Sequence, residues 1–216
     1  MPWAVVDCHM PIDLPTKEWP ATWWIAGAFA VAAGLAGLVL LAFGAGEHGV
    51  KLALRATARV AFLLFLPAYA GGALARLAGP GFAWLPRRGR TLGLAFAAVM
   101  LVHAGLVAWL CWLGAAPGRG VFLLFGSALA CVAGLTLLSA PRLQQALGRR
   151  TWWWLRLLAM NFIAYAFAVD FLRYSPFGGL GHTAQYLPFA LLSLAGPACY
   201  WLALLPRPGG LRRAPS

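Results

Sequence analysis

Apolar residues along this chain come in six long runs, at about 22–43, 55–77, 91–113, 121–140, 151–173 and 186–205, with polar residues gathered in short stretches between them. These runs reach or approach the roughly 20 residues that a helix needs to cross a hydrocarbon core. The pattern predicts an all-α integral membrane bundle of six transmembrane helices. Connections such as "GAAPGRG" at 114–120 are short enough to force antiparallel neighbours. The expected organisation is an N-terminal arm over 1–21, a six-helix domain over 22–205 and a basic tail over 206–216, with no room for a soluble domain.

Composition agrees with that pattern. The 216 residues are 62% hydrophobic and only 10% charged, against the 45–50% and about 25% of ordinary soluble domains. A net charge of +12 would suit a nucleic-acid binder, but the basic residues sit in the connections, which is a topology signal and not a binding face. No nucleic-acid partner is expected; the expected partner is the lipid bilayer. The opening "MPWAVVDCHMPIDLPTKEWPATWW" has neither a basic n-region nor a small-residue cleavage site, so no cleaved signal peptide is expected. Cys8, Cys111, Cys131 and Cys199 lack ligand-like spacing, and the "DCH" at Asp7 to His9 reads as incidental. No GxGxxG or P-loop is present, so a nucleotide or flavin would have to come on a separate protein.

Orientation follows from the basic residues. Lys17, Arg76, Arg87, Arg88, Arg90, Arg142, Arg149, Arg150, Arg207, Arg212 and Arg213 fall on one side, and Lys51, Arg55, Arg59, Arg119 and Arg173 on the other. Eleven against five predicts both termini in the cytoplasm of a multi-pass protein of the bacterial inner membrane. Trp23, Trp24, Trp109, Trp112 and Trp152 to Trp154 lie near span ends, where indole rings anchor at the headgroups. Pro67 with Gly71 and Gly72, and Pro197 after Gly196, predict bends in the second and sixth spans.

Few polar side chains lie deep within the spans. The fifth, "TWWWLRLLAMNFIAYAFAVDF", holds Arg156 near one end and Asp170 near the other, fourteen residues apart on nearly one face. About 21 Å of helix separates them, so they are not expected to pair. Asp170 has Arg173 at i+3 as its natural partner. His103 falls twelve residues into the third span, near mid-depth. A neutral imidazole there can ligate haem iron, relay protons or bond a neighbouring helix. Matching depths pairs it with fifth-span residues near 163, so Asn161 or Tyr165 is its expected hydrogen-bond partner. His48 and His182, in the outward connections, read as solvated loop histidines.

Two stretches carry a family resemblance. "RRGRTLGLAFAAVMLVH" resembles the entry to the third helix of the ferric-reductase-like transmembrane family, which includes the haem-binding membrane subunit of the periplasmic methionine-sulfoxide reductase system. Arg87, Arg88, Gly93, Leu94, Phe96 and His103 match that pattern. "LGRRTWWWLRLLAM" resembles the start of the family's fifth helix, and the likeness covers about residues 55–205. It implies a bundle that holds b-type haem between helices, passing electrons from a cytoplasmic or quinol donor to an acceptor outside.

The departures bear on that implication. Where the family places fifth-helix histidines, this chain has Arg156 and Val169, which leaves His103 as the surviving ligand position. A haem iron accepts His with Met, or a single His. The resemblance therefore implies haem b with His103 on the iron, Met160 opposite it and Arg156 on a propionate. Met160 as a packing residue and Arg156 snorkelling to the interface are the alternatives. Two functions stand at this stage. One is a transmembrane electron-transfer subunit of an oxidoreductase, served by a separate redox protein or quinol. The other is a haem-free membrane anchor or assembly partner that keeps the fold. A transporter fits less well, since no inverted repeat relates residues 1–110 to 111–216.

Overall fold

The computed structural model describes residues 20–174 and 179–205, with side chains described throughout these except at position 141 and positions 174–185. Most of the N-terminal arm, including the "DCH" segment, and the basic tail lie outside the described residues. Among the described residues seven α-helices follow one another: α1 (Ala21–Phe43), α2 (Glu47–Ala78), α3 (Trp84–Trp112), α4 (Arg119–Leu138), α5 (Pro141–Leu147), α6 (Arg149–Tyr174) and α7 (Gly179–Leu204). All but the short α5 contain a segment long and apolar enough to cross a membrane, and there is no strand among the described residues. The chain is an all-α membrane bundle with six candidate spans.

Three helices start about two turns before the apolar runs predict, α7 among them at Gly179. Helix α2 begins at Glu47, so "EHGVKLAL" is helical and His48 sits in its first turn, beside Phe43. Glu47 and Lys51 form an i,i+4 ion pair there, which supports a polar first turn. Helix α3 begins at Trp84, so the basic "RRGR" continues the helix instead of connecting two. Pro67, Pro188 and Pro197 all lie inside continuous helices.

Helix α2 is the centre of the assembly and touches α1, α3 and α7. Contacts of α3 with α4, α4 with α6 and α6 with α7 close a ring, while α1 leans on α2 and α3 from outside. The sequence of α2 explains its position. At about 100° per residue, Val50, Ala53, Thr57, Ala61, Ala68 and Gly71 share one face. Arg55, Arg59, Phe62 and Tyr69 share another. Small residues let helices approach closely where no water drives them together. A Cβ at Gly71 would stand 2.9 Å from Leu85 Cβ of α3, so that contact admits only glycine without movement. Gly196 of α7 is similarly close to α2, where a Cβ would stand 2.8 Å from Leu66 Cδ1.

The other face of α2 fills the middle of the ring with aromatic side chains. Phe62 packs against Phe167 and Phe171 of α6 with ring centroids 5.3 and 5.0 Å apart. Phe65 lies 5.3 Å from Phe96 of α3 and 5.4 Å from Phe167. Tyr69 stacks on Phe65 at 5.4 Å and on Tyr200 of α7 at 5.2 Å. Phe171 meets Phe189 at 5.3 Å, and the Arg59 guanidinium lies over Phe189 and Tyr186. A column of touching rings thus runs through the bundle from Tyr200 to Phe189, and the Arg59 guanidinium joins it to Tyr186.

Candidate functional site

Among the described residues, Arg156, His103 and Asp170 mark three separate places in the bundle. The first is the end of the bundle where α3 and α6 begin and α2, α4 and α7 finish, called the basic end below. Two cavities of about 260 and 310 Å³ adjoin there and share Ala68, Gly89, Arg156 and Met160 in their walls. Arg90, Thr136, Ser139, Gln144 and Trp152 line the smaller, and Arg76, Tyr69, Asn161 and Tyr200 line the larger. The Tyr69 hydroxyl donates to Asn161 Oδ1 at 2.9 Å, and Asn161 Nδ2 donates to the Leu157 carbonyl at 2.8 Å. Arg90 donates to the Ser139 carbonyl at 3.2 Å, which ties α3 to the end of α4. Arg156 and Arg76 lie close enough to the Tyr200 hydroxyl for their charges to act on it. Arg156 itself makes no hydrogen bond or ion pair with any described residue.

The second place is His103. Its Nδ1 lies 3.0 Å from Thr57 Oγ1 on the small-residue face of α2. That hydroxyl is also 3.0 Å from the Ala53 carbonyl and 3.1 Å from the Leu54 carbonyl of its own helix. A threonine has one proton to give. Donating it to a carbonyl one turn back leaves Oγ1 as acceptor for Nδ1–H, and Nε2 then keeps its lone pair. Asn161 and Tyr165, the partners expected from depth matching, do not bond His103: Asn161 bonds Tyr69, and Tyr165 is 57% exposed.

The depth argument fails because α3 and α6 are offset. Phe96 faces Phe167, and Gly89 and Arg90 face Arg156 across the smaller cavity. On that register His103 stands level with the far part of α6, near Asp170, and Arg156 stands level with the basic turn of α3. Thr57 and Tyr69, which mark the levels of His103 and Asn161, are twelve residues apart on α2, about 18 Å along the axis.

The third place is at the opposite end. Asp170 borders a cavity of about 490 Å³ with Arg119, Arg173, Phe125 and Val169. The charges acting on it come from Arg55 and Arg173, so Arg173 is its neighbour as the i,i+3 spacing predicts, and Arg55 is a second. His182 lies outside the described side chains.

These positions test the haem site that the family resemblance implies. Met160 and Arg156 share both basic-end cavities, but His103 borders neither. Two axial ligands must reach one iron, and here the ring column around Phe65, Phe96 and Phe167 lies between the levels of His103 and Met160. His103, Met160 and Arg156 in this arrangement do not fit one b-type haem. Sequence reasoning missed Thr57, Tyr69 and Tyr200. Thr57 carried a signal, being the hydroxyl on an otherwise alanine-rich face; the two tyrosines carried none beyond their presence in apolar runs.

No family model matches the chain, and neither does any curated protein or solved structure.

Proposed function

We propose that this chain is a divergent ferric-reductase-like membrane protein that has lost haem and serves as a membrane anchor or assembly partner without redox activity. The observation that carries this reading is the aromatic column. Phe62, Phe65, Phe96, Phe167 and Phe171 form a contact network in the middle of the ring, between α3 and α6, the two helices on which the resemblance places haem histidines. Such rings form close-packed contacts worth about 0.5–1.5 kcal/mol per pair beyond burial, and a macrocycle would have to displace several of them. In this reading both termini face the cytoplasm of a bacterial cell and the bilayer is the first partner.

A second reading rests on His103. An imidazole whose Nδ1–H is held by Thr57 has its Nε2 oriented as ligating histidines are. This supports a single-histidine haem and an electron-transfer subunit fed by a quinol or a separate redox protein. Titrating the purified protein with haemin separates the two. The first reading expects no saturable Soret change. A stoichiometric change lost on His103→Ala would establish the second.

A further inference from the structure

Arg156 is a cation at the edge of the apolar region, in the shared wall of two cavities, with no carboxylate beside it among the described residues. No carboxylate lines either cavity among the described residues, and the described carboxylates, Glu47 and Asp170, stand at the far end of the bundle. The cavities add Arg90 on one side and Arg76 on the other, with Tyr69, Asn161, Tyr200, Ser139 and Gln144 as hydrogen-bonding groups. The deeper wall of the smaller cavity is apolar, built by Phe65, Phe96, Val132, Leu135 and Ile163. The level of the site is set by Gly89 and Arg90 of the basic turn, the depth at which lipid headgroups lie.

We propose that this pair of cavities binds the phosphate head of an anionic phospholipid, with Arg156 as the central contact and Arg76 and Arg90 flanking it. A guanidinium presents two parallel N–H groups that match two phosphate oxygens. Basic pockets between membrane helices favour such heads, at about 1 kcal/mol for each arginine near the surface. The apolar inner walls take the start of an acyl chain, which a free phosphate lacks. Exposed Trp153, Trp154 and Trp201 at the same end place indole rings at the headgroup level around the entrance. The inference is independent of the haem question, because it uses neither His103 nor the ring column.

Native mass spectrometry of the full chain in detergent tests it, with phosphatidylglycerol and phosphatidylcholine of identical acyl chains added in turn. Phosphatidylglycerol should be retained preferentially. Arg156→Gln should lower its occupancy about five- to tenfold, the factor that one arginine's contribution implies. Arg156→Lys should lower it less, and Arg173→Gln at the opposite end should leave it unchanged. Equal retention of the two lipids, or unchanged occupancy in Arg156→Gln, would overturn the proposal. Glycerol phosphate without acyl chains should not compete at matched concentration; full competition would reduce the site to one for free phosphate and overturn the lipid assignment. Displacement of phosphatidylglycerol by a short-chain quinone would assign the cavities to a neutral ligand, with the same consequence. Neutralising Asp7, Asp13 and Glu18 of the N-terminal arm together should leave binding intact or stronger, and weaker binding would count against the site.

Discussion

Tyr69 of α2 and Asn161 of α6 are joined by a 2.9 Å hydrogen bond in which the tyrosine hydroxyl donates to Oδ1, while Asn161 Nδ2 donates to the Leu157 carbonyl of its own helix. Interhelical hydrogen bonds of this kind in a bilayer are worth about 0.6 kcal/mol on average and up to about 1.7. Tyr69→Phe keeps the stacking on Phe65 and Tyr200 and removes only the donor. It should lower the stability of the bundle in a reversible unfolding assay by about 1 kcal/mol. Asn161→Leu in the Tyr69→Phe background should then cost little more. Full additivity of the two changes would show that the residues are not partners.

Much of this architecture was legible in the sequence, and the limits have physical causes. Six apolar runs announced six spans because a membrane helix must be apolar over its whole length. The runs did not announce that α2 starts at Glu47 or α3 at Trp84, because polar and basic residues extend a helix beyond the apolar core without any break in backbone hydrogen bonding. Depth counted from the start of each apolar run therefore misplaced His103 against α6. The register that corrects it is set by packing, through Phe96 on Phe167 and Gly71 on Leu85, and no single-helix pattern contains it. Arg156 was visible as a charge in a span, but its place between two cavities depends on α2, α4 and α7, which sequence spacing does not bring together.

The two close approaches of α2 should differ in tolerance. At Gly71 the obstructing atom is Leu85 Cβ, which moves only with its backbone, whereas at Gly196 it is the terminal Leu66 Cδ1. Gly71→Ala should destabilise by about 1–3 kcal/mol, the range for forcing volume into a packed contact. Gly196→Ala should cost less, since Leu66 can change rotamer. Thermal unfolding in detergent orders the two, and the reverse order would contradict the α2–α3 packing.

The Thr57–His103 contact predicts a coupled pair. Thr57→Val keeps the shape and leaves His103 Nδ1 without its 3.0 Å partner. A double-mutant cycle with His103→Ala should return a coupling of about 1 kcal/mol. Zero coupling would mean that the bond contributes nothing to holding α2 on α3.

Topology follows from the basic asymmetry together with the six spans. Reporter fusions at Arg88 should read cytoplasmic and those at Arg119 should read outside, because a single span separates them. Both sites on one side would contradict the six-span bundle, and an exchange of the two would invert it.

The absorbance spectrum of the protein as isolated, from cells supplied with a haem precursor, tests the proposed haem-free state most directly. The ring column between the levels of His103 and Met160 predicts a flat reduced-minus-oxidised difference in the visible region, with 280 nm absorbance alone. A b-type difference spectrum at one haem per chain would contradict the account, and its loss in His103→Ala would assign that haem to a single histidine.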